Sequence, residues 1–135
     1  MNLEATERGW HANFSDGTVG LIQVDFRLGL LLSDVDDSAQ LYIETPFRLV
    51  TNGREHALRP QNAETLSPIL GLFGAKVSSI YAYKSGQFKM EFGDGGYLEV
   101  DPDDAYEAWQ LACPGKFMLA CSPGGSVSLF VEEKS

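Results

Sequence analysis

The sequence is poor in the side chains that bind metals or carry out nucleophilic catalysis. Its 135 residues include two cysteines, Cys113 and Cys121, and two histidines, His11 and His56, which stand far from the cysteines along the chain. Two cysteines without nearby histidines do not make a structural zinc site. We therefore expect no metal site, no cofactor and no catalytic residue.

A disulfide is also unexpected. The two cysteines belong to LACPGKFMLAC, which is typical of a hairpin that turns near Gly115. In that register Cys113 lies opposite Phe117 and Cys121 lies opposite Trp109, so the two sulfur atoms are too far apart along neighbouring strands to bond. We expect two reduced, buried thiols.

Basic residues and long apolar runs are scarce as well. Ten Lys and Arg stand against 19 Asp and Glu, which gives a formal net charge of -9. Such a charge repels nucleic acid and anionic lipid, and it attracts a basic protein partner. No segment reaches the roughly 18 consecutive apolar residues of a membrane helix, and MNLEATERGW lacks the basic and apolar regions of a signal peptide. We expect a cytoplasmic protein that binds neither nucleic acid nor membranes.

What the sequence does contain is a series of short segments that alternate between apolar and polar residues. Alternation with a period of two is typical of β-strands with one buried face. It predicts a strand pair over 18–34, short strands in AQLYIETPFRLVTNG and REHALRP, and further strands in KVSSIYAYKSG and QFKMEFGDGGYLEV. Three more predicted strands, separated by Pro-Gly turns, lie in YEAWQLACPG, KFMLACSPGG and SVSLFVEE. The chain is of a length typical of one domain, so we expect residues 1–135 to form a single domain that is mainly β.

One segment, NAETLSPILGLFG at about 62–73, shows a helical period instead. Asn62 can cap its start and Gly74 its end, and Pro68 leaves open a later start at Ser67. Residues at i, i+3, i+4 and i+7 form a stripe that we expect to face a sheet. This stripe consists of Leu66, Ile69, Leu70 and Phe73.

The two halves of the chain are weakly similar. Val19 and Ile22 recur as Val77 and Ile80 at an offset of 58, since 77 minus 19 and 80 minus 22 both give 58. The similarity continues at an offset of 57 in Leu41 and Ile43 against Leu98 and Val100. After the DPDD insertion, Phe47-Arg48-Leu49 resembles Trp109-Gln110-Leu111. We expect an α+β fold of two antiparallel β-meander halves, at about 18–58 and 76–132, joined by one short helix. The halves would form a sandwich or a partly open barrel.

Carboxylates are the most abundant candidate binding groups. DPDD at 101–104 has the composition of a turn, because Asp side chains bond to their own backbone and proline sets the first turn position. The alternative interpretation of this cluster is an acid–base or cation site. If the acidic loops converge, they form a contact surface for a protein partner. That surface would consist of Asp34, Asp36, Asp37, Asp101, Asp103 and Asp104.

Aromatic residues are the second candidate. Tyr81 and Tyr83 share one parity of their predicted strand, so they face either a second sheet or a binding partner. A cavity between two sheets, lined by Tyr81, Tyr83 and Trp109, would suit a small ligand.

Several segments resemble a family of small bacterial domains of unknown function, which is widespread in high-GC Gram-positive bacteria. They are YEAWQLACPG and SPGGSVSLF, together with VGLIQVDFRLGLLL, IETPFRL and LSPILGLFGAKVSSI. The resemblance extends over roughly residues 17–131, and it implies that DPDD is a recurring way into the YEAW strand. The family has no established activity, so the resemblance assigns no functional residue.

These observations favour a small acidic, non-catalytic protein-binding domain. By analogy of class it would be an immunity-type protein that neutralises a basic toxin domain by direct binding. The alternatives are a small-molecule-binding β domain, and an enzyme in which His11 or His56 meets a carboxylate in a cleft. A homodimer through an exposed edge strand is compatible with all three, so monomer and homodimer both stay open.

Overall fold

The computed structural model describes residues 2–35 and 37–132 of the chain. In these residues the chain forms twelve β-strands and one 3₁₀ helix, which confirms the mainly β class. The strands are β1 (Asn2–Thr6), β2 (Gly9–Val24), β3 (Leu28–Ser33), β4 (Ser38–Ile43), β5 (Phe47–Thr51), β6 (Arg54–Leu58), β7 (Lys76–Tyr83), β8 (Phe88–Phe92), β9 (Tyr97–Val100), β10 (Trp109–Cys113), β11 (Phe117–Cys121) and β12 (Val127–Val131). The helix, Ala63–Leu72, lies between β6 and β7.

All strand pairs are antiparallel and belong to one continuous sheet. Its order is β12-β11-β10-β4-β3-β2-β7-β8-β9-β5-β6, with β1 paired to β2 beside this path. The hairpin β1–β2 was not predicted, because GWHANFSDG mixes polar, glycine and apolar residues without a clean period of two. β2 therefore begins nine residues before the predicted strand pair.

The sheet folds over on itself, so that its two halves pack face to face. We call wing 1 the strands β12, β11, β10, β4 and β3 with residues 18–24 of β2. Wing 2 consists of residues 9–13 of β2 with β7, β8, β9, β5 and β6. Phe88 of wing 2 and Trp109 of wing 1 are both buried, and their ring centroids lie 5.0 Å apart. The sheet does not close, which confirms the predicted sandwich or partly open barrel.

A glycine backbone joins the two wings. The indole Nε1 of Trp109 donates a hydrogen bond of 2.8 Å to the carbonyl oxygen of Gly86, in the turn before β8. Gly86 has φ +97°, and a Cβ added there would lie 2.7 Å from Cβ of Pro102 and 2.9 Å from the carbonyl oxygen of Gly125. Only glycine combines this backbone conformation with such close approach.

Apart from β12, which has no counterpart beyond β6, the strand order is symmetric about the central pair β2–β7, and the two halves of the chain exchange their last strands. β10 of the second half pairs with β4, and β5 of the first half pairs with β9. Leu41 lies opposite Leu111 in the first of these pairs, and Leu98 lies opposite Leu49 in the second. These are the positions that the sequence offset relates. The duplication itself stays a prediction, while the exchange shows that the halves interlock rather than fold side by side.

The helix lies where it was predicted, but its buried face differs. Asn62 caps its start by accepting a hydrogen bond from the backbone N–H of Glu64, and Pro68 lies inside the helix. A 3₁₀ helix has three residues per turn, so every third side chain shares one face. Leu66, Ile69 and Leu72 are buried, whereas Leu70 and Phe73 are 66% and 68% exposed. The predicted stripe was therefore wrong at Leu70 and Phe73, because it assumed the α-helical period.

Both cysteines are free and buried, as expected. Cys113 lies opposite Phe117 in the β10–β11 hairpin. Burial raises the pKa of both thiols, and a nearby carboxylate adds to the effect, from Asp37 at Cys113 and from Glu107 at Cys121. Their thiolate forms are disfavoured, so these cysteines behave as small apolar core residues.

Candidate functional site

An open groove with a volume of about 550 Å³ lies at the ends of β4 and β10. Four separate segments build it: the β2–β3 turn, the β4–β5 connection, the residue before the helix cap and the β9–β10 connection. We call it the aromatic-acidic groove. Its lining consists of Phe26, Glu44, Thr45, Pro46, Gln61, Asp103 and Tyr106.

Phe26 projects from the β2–β3 turn with 82% of its surface exposed. Its backbone has φ +50°, a conformation that is uncommon for a bulky residue and that costs of order 1–3 kcal/mol. The Nε2 atom of Gln61 donates to the carbonyl oxygens of both Phe26 and Glu44, and so ties the turn to the β4–β5 connection. The fold thus holds a large apolar side chain in solvent at an energetic cost.

Tyr106 is the second exposed aromatic side chain of the groove, at 66%. Asp103 Oδ1 accepts hydrogen bonds from the backbone N–H groups of Ala105 at 2.8 Å and Tyr106 at 3.0 Å. The Asp103 carbonyl oxygen accepts a further bond of 2.8 Å from the N–H of Gly124. The turn interpretation of DPDD is therefore confirmed at Asp103, and the turn it makes presents Tyr106 to solvent.

Carboxylates lie beside these rings. Glu44 lines both the groove and an adjoining depression of about 170 Å³ that also contains Glu107 and Arg27. The pKa of Glu107 is raised above its usual value, first by burial and second by the negative charge of Glu44. The guanidinium of Arg27 lies 3.9 Å from the ring centroid of Tyr42. Exposed aromatic rings next to carboxylates are suited to binding a cationic group, by cation–π attraction and by ion pairing.

The predicted acidic surface is divided by the fold. Asp34 and Asp37 lie at the β3–β4 turn, where the Asp34 N–H donates to the Asp37 carbonyl oxygen and Asp37 forms a 2.9 Å ion pair with Lys116. Asp36 lies outside the described residues. The loop of Asp101, Asp103 and Asp104 lies at the other end of β4, whose six residues span about 17 Å.

Within the 101–104 loop the carboxylates have different roles. Asp101 forms a 2.8 Å ion pair with Arg48, and this hydrogen bond, supported by Gln87, lowers the pKa of Asp101. Asp103 lines the groove, and Asp104 is exposed. The condition for a single acidic surface, that the two loops converge, is therefore not met, because the loops are held at opposite ends of the same strand. A contact role for either loop stays a prediction.

The predicted ligand pocket is not assembled either. Tyr81 and Tyr83 lie on the outer face of wing 2, and the ring of Tyr81 stacks on His11 with centroids 4.6 Å apart. Trp109 lies in the core, where it is 1% exposed. The three residues therefore do not line one cavity, because β7 turns its tyrosines outward, whereas the Trp109 ring packs between the wings against Phe88, at an interplanar angle of 43°.

Sequence reasoning missed Phe26, Glu44, Gln61 and Tyr106. The signal at Phe26 was an apolar residue at the centre of VDFRL, in a turn between two strands where burial is not available. Glu44 and Gln61 carried no such signal, because they join the groove only through contacts between segments that are distant in the chain.

Residues 2–35 and 37–132, which the structure describes, contain no group of three or more His, Cys, Asp or Glu side chains arranged to hold a metal ion. They also contain no helix that is long and apolar enough to cross a membrane.

Comparison with known proteins yields a family but no relative with an assigned activity. A comparison with curated proteins gives no match, and a comparison with solved structures gives none. A model described as a family of unknown function (DUF6188) matches residues 10–131. This match confirms the resemblance to a domain family of unknown function, and it includes every lining residue of the aromatic-acidic groove. The chain belongs to the DUF6188 family of unknown function.

Proposed function

We propose that the chain is a non-catalytic protein-binding domain that receives a basic side chain of a partner protein in the aromatic-acidic groove. The observation that carries this proposal is the exposure of Phe26 and Tyr106 beside Glu44. Hydrogen bonds fix the backbone that carries each ring, from Gln61 to the Phe26 carbonyl and from the Tyr106 N–H to Asp103.

A protein partner suits this groove for two reasons. Aromatic residues dominate the energetic centres of protein interfaces, because they bury a large area with little loss of side-chain entropy. The net charge of -9 also accelerates the approach of a basic protein and opposes the approach of an acidic one. A partner that inserts Arg or Lys into the groove would meet the carboxylates of Glu44 and Asp103 in its lining.

The specific form of the proposal is an immunity-type function, in which the domain neutralises a basic toxin domain by direct binding. Its support is the small size and negative charge of the chain together with a preformed groove for a cationic side chain. Binding that blocks a toxin requires affinity and shape, and needs no catalytic group in the inhibitor.

The second candidate is binding of a small cationic molecule in the same groove. The observation that favours it is the groove volume of about 550 Å³, which falls within the range of small-molecule sites. Free arginine amide is a suitable probe, because it carries the cationic group without the rest of a protein surface.

The test is affinity capture from a lysate of the source organism with the tagged chain and three variants. Phe26→Ala and Tyr106→Ala remove the groove rings, and Phe73→Ala removes a ring that is 68% exposed and lies outside the groove lining. We expect a stoichiometric basic protein that is retained by the wild type and Phe73→Ala, and that binds each groove variant at least tenfold more weakly.

Salt dependence provides a second criterion. Capture should weaken between about 50 mM and 500 mM salt, because exposed charge pairs are screened. A partner that binds the groove variants as well as the wild type would remove the proposal. Chemical-shift changes with arginine amide, lost in Phe26→Ala and without any captured protein, would favour the small-molecule function.

A further inference from the structure

The amide group of Gln61 has its orientation fixed by its two partners. Its Nε2 atom donates to the carbonyl oxygens of Phe26 and Glu44, and a carbonyl oxygen accepts hydrogen bonds without donating them. The nitrogen is therefore the atom on that side, and the only donor group of the Gln61 side chain is used within the chain. What Gln61 offers to the aromatic-acidic groove is its acceptor, Oε1.

The charged side chains of the groove lining are acceptors as well. Both are carboxylates, from Glu44 and Asp103, and neither forms an ion pair within residues 2–35 and 37–132. Asp103 uses Oδ1 for two backbone N–H groups, which leaves Oδ2 for another donor. The charge of Glu44 extends into the adjoining depression, where burial and then this charge raise the pKa of Glu107. The lining thus combines negative charge with acceptors and contains no cationic side chain.

Thr45 is the buried residue of this lining, at 4% exposure. Its hydroxyl oxygen is shielded from solvent and has no hydrogen-bond partner in the part of the chain that the structure describes. Buried polar groups nearly always have a partner, so an unpartnered hydroxyl in a groove lining indicates a donor from outside the chain. Rotation about the Cα–Cβ bond exchanges the methyl and hydroxyl positions of threonine, and this brings the oxygen within reach of such a donor.

We propose that the aromatic-acidic groove selects a guanidinium group over an ammonium group, so that the basic side chain it receives is an arginine of the partner protein. This inference rests on the proposed function, because it specifies which cation the groove binds. A guanidinium has five N–H donors in a planar fork and no acceptor, whereas an ammonium has three donors around a compact charge. Acceptors from three separate segments, at Glu44 and Thr45, at Gln61 and at Asp103, suit the larger set of donors.

The two exposed rings of the groove favour the same ligand. A guanidinium is planar and weakly hydrated, so it stacks on an aromatic face more readily than a strongly hydrated ammonium does. The chain already contains this contact in the adjoining depression, where the guanidinium of Arg27 lies 3.9 Å from the ring centroid of Tyr42. Phe26 and Tyr106 offer exposed ring surface for a second contact of this kind.

The test is a chemical-shift titration of the full chain with N-acetylarginine amide, N-acetyllysine amide and N-acetylcitrulline amide. The blocked ends imitate a residue within a protein, and citrulline has the shape of arginine without its charge. We expect the arginine compound to bind at least about fivefold more tightly than the lysine compound, and the citrulline compound to cause no shift changes. Phe26→Ala should abolish the shift changes, and Phe73→Ala, outside the groove lining, should retain them.

Variants of the acceptors identify the atoms that select arginine. Thr45→Val keeps the shape of the side chain and removes the hydroxyl, whereas Thr45→Ser keeps the hydroxyl. Removal of an unpartnered buried hydroxyl does not destabilise a fold, so Thr45→Val is expected to fold. We expect Thr45→Val and Glu44→Gln each to lower the preference for arginine over lysine at least about twofold, and Thr45→Ser to retain it.

Three results would overturn the inference. Equal binding of the arginine and lysine compounds would mean that the groove recognises charge alone, which leaves the proposed function intact. An arginine preference that both Thr45→Val and Glu44→Gln leave unchanged would mean that other atoms select the ligand. The third result is the absence of shift changes with both cations at up to about 50 mM, a concentration above that of weak millimolar binding.

Failure of the proposed function has a different signature. It requires a captured partner that binds Phe26→Ala and Tyr106→Ala as well as it binds the wild type, whatever the titrations show. A further comparison decides the source of the guanidinium. If free arginine amide binds more than about tenfold more tightly than the blocked compound, the α-amino group is recognised too, and an arginine within a partner protein is not the ligand.

Discussion

At the scale of single residues, Phe26 combines a strained backbone with an exposed ring. Asparagine tolerates its φ of +50° better, and the chain already places Asn52 at φ +51° in another hairpin turn. We expect Phe26→Asn to raise the free energy of unfolding by about 0.5–1 kcal/mol while it weakens partner binding. The reciprocal change, Asn52→Phe, should lower stability by a similar amount. Urea denaturation of both variants measures this, and a loss of stability in Phe26→Asn would contradict the strain argument.

The raised pKa of Glu107 predicts that its contribution to folding stability decreases as pH rises, which is the opposite of the usual behaviour of acidic groups. Burial and Glu44 raise its pKa, so the folded state binds the proton more tightly than the unfolded state. The resulting stabilisation is complete below the usual glutamate pKa and is lost as pH rises through the raised value. We expect Glu107→Gln to unfold at a higher temperature than the wild type at pH 7, and the difference to shrink towards about pH 4.

Asp101 provides the opposite case. Its hydrogen bond to Arg48 lowers its pKa, so its stabilising effect is present above the usual aspartate value and is lost as pH falls through the lowered one. Asp101→Asn should therefore lower the melting temperature at pH 7 and have little effect at about pH 2–3. Thermal melts of Glu107→Gln and Asp101→Asn between about pH 2 and pH 7 measure these two opposite effects on the melting temperature. Equal effects at all pH values would show that lost packing, rather than charge, is responsible.

At the scale of elements, variants of the helix can show whether three or 3.6 residues per turn determine which of its side chains are buried. Ile69 and its neighbour Leu70 are both aliphatic, but Ile69 is 0% exposed and Leu70 is 66% exposed. We expect Ile69→Ala to lower the free energy of unfolding by about 2–4 kcal/mol, and Leu70→Ala by less than about 0.5 kcal/mol. Similar losses in chemical denaturation would indicate an α-helix that turns both side chains inward.

The turn at Gly86 is the other element on which much of the packing depends. Its carbonyl oxygen accepts bonds from the Trp109 indole and the Cys121 thiol, and Pro102 and Gly125 pack against its backbone. Pro102 belongs to the 101–108 segment, which presents Tyr106 to the groove. The shape of the proposed binding site is therefore coupled to the packing of the two wings.

At the scale of the whole molecule, the exchange of strands makes each half dependent on the other. β4 of the first half pairs with β10 of the second, and β9 of the second half pairs with β5 of the first. Each half therefore has a strand edge whose backbone hydrogen bonds are completed only by the other half. We expect fragments 1–62 and 63–135 to be unfolded alone, and to regain β-sheet circular dichroism and cooperative unfolding when mixed. Cooperative unfolding of either fragment alone would mean that the wings fold independently.

Much of the fold was predictable from the sequence because the signals are local. Alternation in stretches such as Phe88–Phe92 places every second side chain on one face, and the Asn52-Gly53 and Pro-Gly turns mark where strands reverse. The same signals predicted the β10–β11 hairpin with its two free thiols. The helix was placed correctly, although its period was not, since propensity does not distinguish a 3₁₀ helix from an α-helix.

The candidate site was less predictable, because its residues come from segments that are distant in the chain and because a residue such as Asp103 has more than one role. Asp103 was noticed for its charge and proves to shape a turn as well as to line the groove. Phe26 and Gln61 are 35 residues apart and meet only through a hydrogen bond to a carbonyl oxygen. Tyr81 and Tyr83 were assigned the correct parity, but the sequence alone did not say which parity faces the core.

The sequence by itself determined the β class, the positions of most strands and turns, the place of the helix and the negative charge, because each follows from spacing or composition within a short segment. The tertiary structure decided which strands pair, which faces turn outward and which side chains share the groove. These depend on contacts between distant segments, such as β4 with β10 and β5 with β9. A period of two specifies that a strand has two faces, and only packing against the other wing specifies which face is buried.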